Sequence, residues 1–263
     1  MDLTVRGGSR SALPAFDNAL EYIRARPLAV LPRYLVGIAP TALVMLLLID
    51  VMTAERWSDL SGACALLVVA GFWRWGWIAA LQRQVQAEMR GTDPLPLRPN
   101  LVRILLARLY CSVLLSWGSL LVVPGLYGLF LGGFATPLFL ERPGKMAATL
   151  GAGLRMISQS VGTLWRATFV LAAAILLAAF NVMVFQYLLT GVVLTSLLGV
   201  HTADLLLTMN STAWWVFIFF LLFTLFDGFW AVASVTLFYH LQAQRLGTDL
   251  QLRFQALVAG GGQ

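Results

Sequence analysis

Apolar runs long enough to cross a lipid bilayer are the feature that most constrains this chain. A transmembrane helix takes roughly 20 residues, and the stretch from Tyr110 to Leu140 holds no charged side chain. Hydrophobic residues make up 59% of the 263 residues and charged residues 11%, against about a quarter in a soluble domain. The alternation typical of a transmembrane barrel is absent from the sequence, which leaves helices to satisfy backbone polar groups in lipid. The sequence therefore predicts an all-α, polytopic integral membrane helical bundle, with residues 1–263 forming one membrane domain.

The basic residues predict how the chain threads the membrane. Net charge is +6, but the arginines and lysines flank the apolar runs, which argues against a nucleic-acid partner. With six transmembrane helices and both termini cytoplasmic, every basic residue except Arg56 and Arg74 belongs to a cytoplasmic segment, as the positive-inside rule requires. Treating 110–140 as one span, or 191–208 as a full span, destroys this asymmetry. The opening stretch has no apolar core, so no cleavable signal peptide is expected, and we predict a multi-pass protein of the bacterial cytoplasmic (inner) membrane.

Residues 101–141 are expected to form a hairpin of two short spans. Proline removes a backbone donor and glycine permits a turn, so Pro124 and Gly125 are predicted to break the helix at a tight outer turn. In the second span, Gly128 and Gly132 form a small-xxx-small pair that favours close helix packing.

Two segments of the chain have similar sequences. "GFWRWGWIAALQRQVQAEMRGTD" begins at residue 71, and "GFWAVASVTLFYHLQAQRLGTD" begins at residue 228. Both are predicted to run inward and to leave the bilayer on the same side, which makes the internal repeat parallel. Residues 16–93 form the first repeat and 148–249 the second, each an interfacial helix followed by two spans, with the hairpin inserted between them. The corners that end the two copies are Gly91, Asp93, Gly247 and Asp249.

Each predicted repeat opens with an amphipathic helix. In the first, Phe16, Leu20 and Ile23 share one helical face, which is typical of a helix lying in the membrane interface. The arginines of these helices are candidates for contact with anionic lipid head groups, although orientation of the chain explains them equally well; they are Arg24, Arg26 and Arg155.

Two charged residues are predicted to lie deep in the membrane. Arg74 and Asp227 sit at similar depths on the two inward-running spans, and lone charges at such depth are costly. We predict an ion pair between them, acting as a clamp between the repeats or as part of an ion or proton pathway. Arg103 and Arg108 are instead expected to snorkel to the inner surface.

No catalytic, cofactor-binding or metal-binding residues are predicted. Acid–base chemistry needs paired titratable groups, but the chain has two histidines, His201 and His240, which are predicted to lie at opposite faces of the membrane. The sequence also lacks a nucleophile elbow, a zinc-protease helix and a phosphate-binding loop.

Two stretches carry a family resemblance. "VVPGLYGLFLGGFATPLFLERPGKMAATLGAGLRMI" and "LFYHLQAQRLGTDLQLRF" resemble the glycerophosphodiester-phosphodiesterase membrane-domain superfamily and its Yip-type relatives. Where family members often have a serine after the glutamate, this chain has Gly151 and Gly153. The resemblance implies a six-span membrane module without the soluble catalytic barrel. It also implies association with AAA+ ATPases of the MoxR type and von Willebrand-factor-A-like proteins.

These observations lead to a first functional hypothesis, a non-enzymatic membrane subunit that scaffolds or anchors a partner complex, with an AAA+ ATPase system as the candidate partner. Membrane lipids and other protein subunits are the partners expected. The alternative is a transporter or lipid-handling protein with a path between the repeats, and a membrane enzyme is a more distant third. The scaffold is favoured because so few polar groups are available to line a route. A transporter requires a polar cavity within the membrane.

Overall fold

The structure, a computed structural model, describes residues 12–118, 122–142, 144–188 and 212–246, and these are helical with no strand. A single turn of 3-10 helix, Trp57–Asp59, precedes α3. The helices are α1 Leu13–Ala25, α2 Pro27–Thr53, α3 Leu60–Arg90, α4 Arg98–Gly118, α5 Val122–Glu141, α6 Met146–Gln159, α7 Val161–Leu188 and α8 Thr212–Leu246.

Five segments of the described chain are long and apolar enough to cross a membrane, which agrees with a helical membrane protein. They lie in α2, α3, α4, α7 and α8: Pro27–Met52, Trp57–Arg90, Arg98–Ser116, Val161–Phe185 and Leu222–Gln244. The helix predicted as the fourth span, α5, is not among them.

Helix α5 forms the centre of the bundle. Its side chains Phe130, Leu131, Phe134 and Ala135 are completely buried, and it packs against α3, α4, α6 and α8. The aromatic rings continue into α8, where Trp230 meets Phe130 edge-on at 5.5 Å between ring centroids. Since the neighbours of α5 cover it so fully, it serves as the core of the described bundle.

Glycines bring α4 and α5 into backbone contact. A Cβ on Gly128 would lie 2.8 Å from both the Cys111 carbonyl oxygen and the Leu115 amide nitrogen, and one on Gly132 would lie 3.3 Å from Cys111 Cβ. The two glycines predicted for close packing therefore lie at the contact, where larger side chains would hold the two helices apart.

The predicted helix break at Pro124 and Gly125 is wrong in position. Helix α5 begins at Val122, so both residues belong to its first turns. Proline is tolerated there because the first amide groups of a helix have no intrahelical acceptor. The described part of α4 ends at Gly118, and residues 119–121 lie outside the described residues.

Helix α2 contains Pro40 without ending there. Proline leaves the carbonyl four residues earlier without its helical donor, and the Trp73 indole N–H of α3 donates to that oxygen, on Val36, at 3.1 Å. The next residue, Gly37, lets Trp77 of α3 approach, one turn after Trp73, since a Cβ on Gly37 would lie 2.7 Å from Trp77 Cβ. The hydrogen bond that Pro40 removes from α2 is thus replaced by one from α3, and this bond links the two helices of the first hairpin.

Helix α1 packs mainly against α8, and the prediction of its apolar face is partly wrong. Phe16 is buried, with its ring 6.0 Å from that of Phe229 in α8, and the Ala15 carbonyl accepts a hydrogen bond from Thr236 in α8. Leu20 is 41% exposed. The buried face is formed by Ala15, Phe16, Ala19 and Tyr22, and α8 comes within hydrogen-bond distance of its Ala15 carbonyl. Burial and the charge of Glu88 raise the pKa of the Tyr22 hydroxyl.

The carboxyl ends of α3, α5 and α8 meet at one end of the bundle. Arg90 donates to Glu141 at 2.7 Å, and the Gln242 side-chain amide donates to the other oxygen of Glu141 at 3.2 Å. Arg26, between α1 and α2, pairs with Glu88 nearby. Since Glu141 bonds to both α3 and α8, the carboxyl ends of these two helices lie at the same end of the bundle.

Helix α3 ends at the predicted corner. Gly91 has a left-handed φ of 63°, its N–H donates to the Glu88 carbonyl, and the Thr92 N–H donates to the Ala87 carbonyl. This is a Schellman cap, for which glycine is the preferred residue. Asp93 follows in exposed, non-helical chain. The other corner, Gly247 and Asp249, lies outside the described residues.

The proposed repeats share one local feature. A single non-helical residue joins α1 to α2, at Arg26, and α6 to α7, at Ser160. Their tertiary contacts differ, since α1 packs mainly on α8 while α6 packs mainly on α5. The parallel repeat over 16–93 and 148–249 stays a prediction.

Replacing Gly128 with alanine tests the α4–α5 contact. We expect the variant to lose about 1–3 kcal/mol of stability, because a Cβ would press on backbone atoms that cannot rotate away. Gly76→Ala in α3 is the matched control, since nothing lies within 4 Å of a Cβ there. Thermal unfolding in the same detergent measures both, and equal melting temperatures would contradict the contact.

Candidate functional site

The structure brings Arg74 of α3 and Asp227 of α8 together. Arg74 Nε lies 3.3 Å from Asp227 Oδ2, and Nη2 donates to Oδ1 at the same distance. Their side chains are 14% and 12% exposed. The Arg74 guanidinium also lies over the Phe223 ring, 4.9 Å from its centroid. The two residues that the sequence predicts as a membrane-embedded pair are therefore in salt-bridge contact.

A third helix contributes Tyr34 to this pair. The Tyr34 hydroxyl, on α2, lies 2.6 Å from the Thr224 carbonyl oxygen and 3.4 Å from Asp227 Oδ2. Gly228 makes room for the phenol ring, since a Cβ there would lie 3.2 Å from Tyr34 Cε1. Asp227 thus faces both a guanidinium and a hydroxyl.

Gln82 lies on the same face of α3, two turns beyond Arg74, or roughly 12 Å along the helix axis. It is 1% exposed. Its Nε2 donates to the Gly133 carbonyl of α5 at 3.1 Å and to Ser234 Oγ of α8 at 2.8 Å. One amide side chain therefore links three helices.

Arg108 of α4 supplies the second buried cation. It is 7% exposed, and its Nη2 donates to Gln82 Oε1 and, at 3.2 Å, to Thr136 Oγ1 of α5. The prediction that Arg108 snorkels to the inner surface is wrong, because these acceptors hold the guanidinium inside the bundle. Arg103, one turn nearer the start of α4, does remain exposed and donates to the Gly144 carbonyl.

A partly open cavity of about 400 Å³ is lined both by the Arg74–Asp227 pair and by the hydrogen-bonded side chains of Gln82 and Arg108. Its charged and amide side chains are thus Arg74, Gln82, Arg108 and Asp227. Small residues also line it, including Ser112, Ser116, Gly128, Gly132 and Gly133. The large apolar residues of its wall include Trp75, Ile78, Phe226 and Trp230. Four helices line it: α3, α4, α5 and α8. The cavity combines hydrogen-bond donors with an apolar wall, which is typical of small-molecule sites.

The other predicted site residues lie away from this cavity. Arg24 and Arg155 are exposed on α1 and α6, where contact with head groups stays a prediction. Arg26 is also partly exposed, but its guanidinium pairs with Glu88. Pro124 and Gly125 do not line the cavity, whereas both packing glycines do.

The sequence did not predict Gln82, Arg108 or Tyr34 as site residues. Arg108 lies just before the uncharged stretch that begins at Tyr110, where snorkelling is the ordinary expectation. Gln82 follows Arg74 at the i+8 position, which places both on one helical face. Tyr34 is indistinguishable in sequence from an ordinary interfacial tyrosine.

Removing the Asp227 charge tests the ion pair. We expect Asp227→Asn to cost about 3 kcal/mol, since Arg74 is left buried without its counter-ion. Adding Arg74→Gln to the same chain should recover part of that loss. Asp50→Asn is the control, because the Asp50–Arg56 pair is exposed and such pairs contribute at most about 1 kcal/mol. Additive losses in the double variant, read from chemical unfolding in detergent, would contradict a direct interaction.

Comparisons with known proteins add no relative whose site matches this one. No family model, no curated protein and no solved structure matches the chain. The cavity between α3, α4, α5 and α8 is therefore the feature of this chain that bears on its function.

Proposed function

We propose that this chain is a non-enzymatic, lipid-handling or transporting membrane protein that binds a membrane-borne ligand in the cavity between α3, α4, α5 and α8. The observation that carries the proposal is the convergence of Arg74, Gln82, Arg108 and Asp227 on one partly open cavity. Polar side chains inside a membrane are costly and mark ligand or ion routes.

The convergence of polar side chains on one cavity favours the lipid-handling or transporting protein over the scaffold, which was the first hypothesis from the sequence. Few polar residues lie in the apolar segments, which favoured a scaffold. Several of them nevertheless line the same cavity, together with Ser112 and Ser116. A few well-placed polar groups suffice for a ligand whose remaining surface is apolar.

The proposed topology has six spans, with α5 as the fourth, and both termini in the cytoplasm of a bacterium. Charge bias supports this orientation. The bonds from Arg90 and Gln242 to Glu141 support an exit of both repeats at the same membrane face. In a parallel repeat, α3 and α8 are the two inward-running spans, and both contribute lining residues to the cavity.

The second candidate is a scaffold that anchors other subunits, such as those of an AAA+ ATPase system. Helix α7 favours it, because its apolar span is 6% buried, the lowest share among the five candidate spans of the described chain. Phe169, Leu176 and Phe180 are all more than 60% exposed. This face suits lipid or a neighbouring subunit.

Labelling of single cysteines tests the topology. In a chain whose Cys64 and Cys111 are replaced by alanine, we expect Thr92→Cys and Thr248→Cys to resist a membrane-impermeant maleimide in intact cells. Both should react after permeabilisation, since both corners are proposed to be cytoplasmic. Ser58→Cys, in the opposite connection, should react in intact cells. Labelling of the two corners from opposite sides would overturn the parallel repeat.

Filling the cavity tests ligand binding. Native mass spectrometry of protein released from its own membrane should show a bound small molecule on the wild-type chain. We expect Ser112→Phe to lose most of that adduct, since its ring would occupy the cavity, while Ser61→Phe, on an exposed position of α3, should retain it. Equal occupancy in the two variants would place the ligand elsewhere. A wild-type chain without an adduct would leave the scaffold as the better reading.

A further inference from the structure

The charges on the cavity do not balance. Its lining contains two guanidinium groups, on Arg74 and Arg108, and one carboxylate, on Asp227. Arginine remains protonated under all physiological conditions, and one carboxylate can neutralise at most one of the two guanidinium groups. The cavity therefore carries an excess positive charge.

Arg108 carries the unbalanced charge. Arg74 has Asp227 in direct contact, whereas the hydrogen-bond acceptors of Arg108 are the neutral oxygens of Gln82 and Thr136. None of the ion pairs found among the described residues includes Arg108. Its Nε has no hydrogen-bond partner within this part of the chain, although the residue is more than nine-tenths buried and lines the cavity.

A buried guanidinium without a carboxylate is a strong binder of oxyanions. Its planar fork of N–H donors matches the oxygens of a phosphate or carboxylate group, and such charge-assisted hydrogen bonds are stronger than neutral ones. Low dielectric strengthens the attraction further. An anion in the cavity would neutralise the excess charge and give Arg108 an acceptor of opposite sign.

The rest of the cavity wall suits an apolar chain. Trp75, Leu115, Leu129 and Phe226 line it beside the polar groups. A small inorganic anion would leave these side chains facing an empty space of several hundred cubic ångströms. A ligand with one anionic end and one apolar end covers both parts of the wall.

We propose that the cavity binds an anionic amphiphile, with its phosphate or carboxylate group on Arg108 and its apolar chain against the aromatic wall. This assignment rests on the proposed function, and it names the ligand class of that same site. The shared chemistry is an oxyanion attached to hydrocarbon, which both anionic lipids and fatty acids possess.

The test uses the full chain in nanodiscs of phosphatidylcholine, a zwitterionic lipid with no net charge. The probes are decyl phosphate, decanoate, decanol and inorganic phosphate, and binding is followed by the fluorescence of tryptophan, since Trp75 and Trp230 line the cavity. We expect decyl phosphate, decanoate or both to bind, and decanol to bind at least tenfold more weakly. Inorganic phosphate should also bind much more weakly than decyl phosphate.

Variants at two arginines of α4 assign the interaction. Arg108→Gln should weaken binding of the anionic probe by about ten- to hundredfold, as expected for loss of hydrogen bonds to a charged group. Arg108→Lys should retain part of the affinity because the charge remains. Arg103→Gln is the matched control on the same helix, and its exposed side chain should leave binding unchanged. Circular dichroism and the melting temperature establish that each variant is folded.

The outcomes separate the two proposals. If decanol binds as tightly as decyl phosphate and decanoate, or if folded Arg108→Gln binds like the wild type, the anion assignment fails while the ligand cavity stands. If inorganic phosphate binds as tightly as decyl phosphate, the apolar chain is not recognised and the amphiphile assignment fails. If none of the four probes binds and the protein from its own membrane carries no adduct, the proposed function fails as well.

Discussion

Polar groups inside a bilayer must find their partners within the protein, and this constraint shapes the centre of the bundle. Water cannot solvate them there, so each unsatisfied group costs several kcal/mol. Arg74 is paired with Asp227, and Gln82 bonds to Gly133, Ser234 and Arg108 at once. These bonds link α3, α4, α5 and α8, and they fix the rotation of each helix about its own axis. The helices can change position only if several buried polar contacts break together.

The same constraint extends to the backbone. Pro40 frees the Val36 carbonyl, and the Trp73 indole of a neighbouring helix satisfies it. Glycine then decides how closely helices approach, as at Gly128 against the α4 backbone and Gly228 against the Tyr34 ring. The two similar segments use their glycines differently, since nothing lies within 4 Å of a Cβ on Gly71. Similar sequence has therefore been fitted to different neighbours.

The ion pair was accessible from the sequence, whereas the complete site was not. Arg74 and Asp227 are isolated charges in two apolar segments of similar sequence, and the cost of burying a lone charge predicts that they pair. Arg108 lies near the end of an apolar run, where snorkelling is an ordinary alternative. Only its rotation toward Gln82 and Thr136 places it inside. A rotation about the helix axis depends on all neighbours, so local sequence does not determine it.

The sequence by itself determined the helical membrane architecture, because long apolar runs have few other ways to satisfy their backbone in lipid. It also determined the stop of α3 at Gly91, where a left-handed conformation favours glycine. Tertiary structure alone decided that α5 forms the core, that α1 packs on α8, and that Pro124 and Gly125 lie within α5. It also decided that two arginines and one aspartate share a cavity. Those outcomes depend on which faces of separate helices meet, and hydrophobic pattern cannot distinguish a face that meets lipid from one that meets protein.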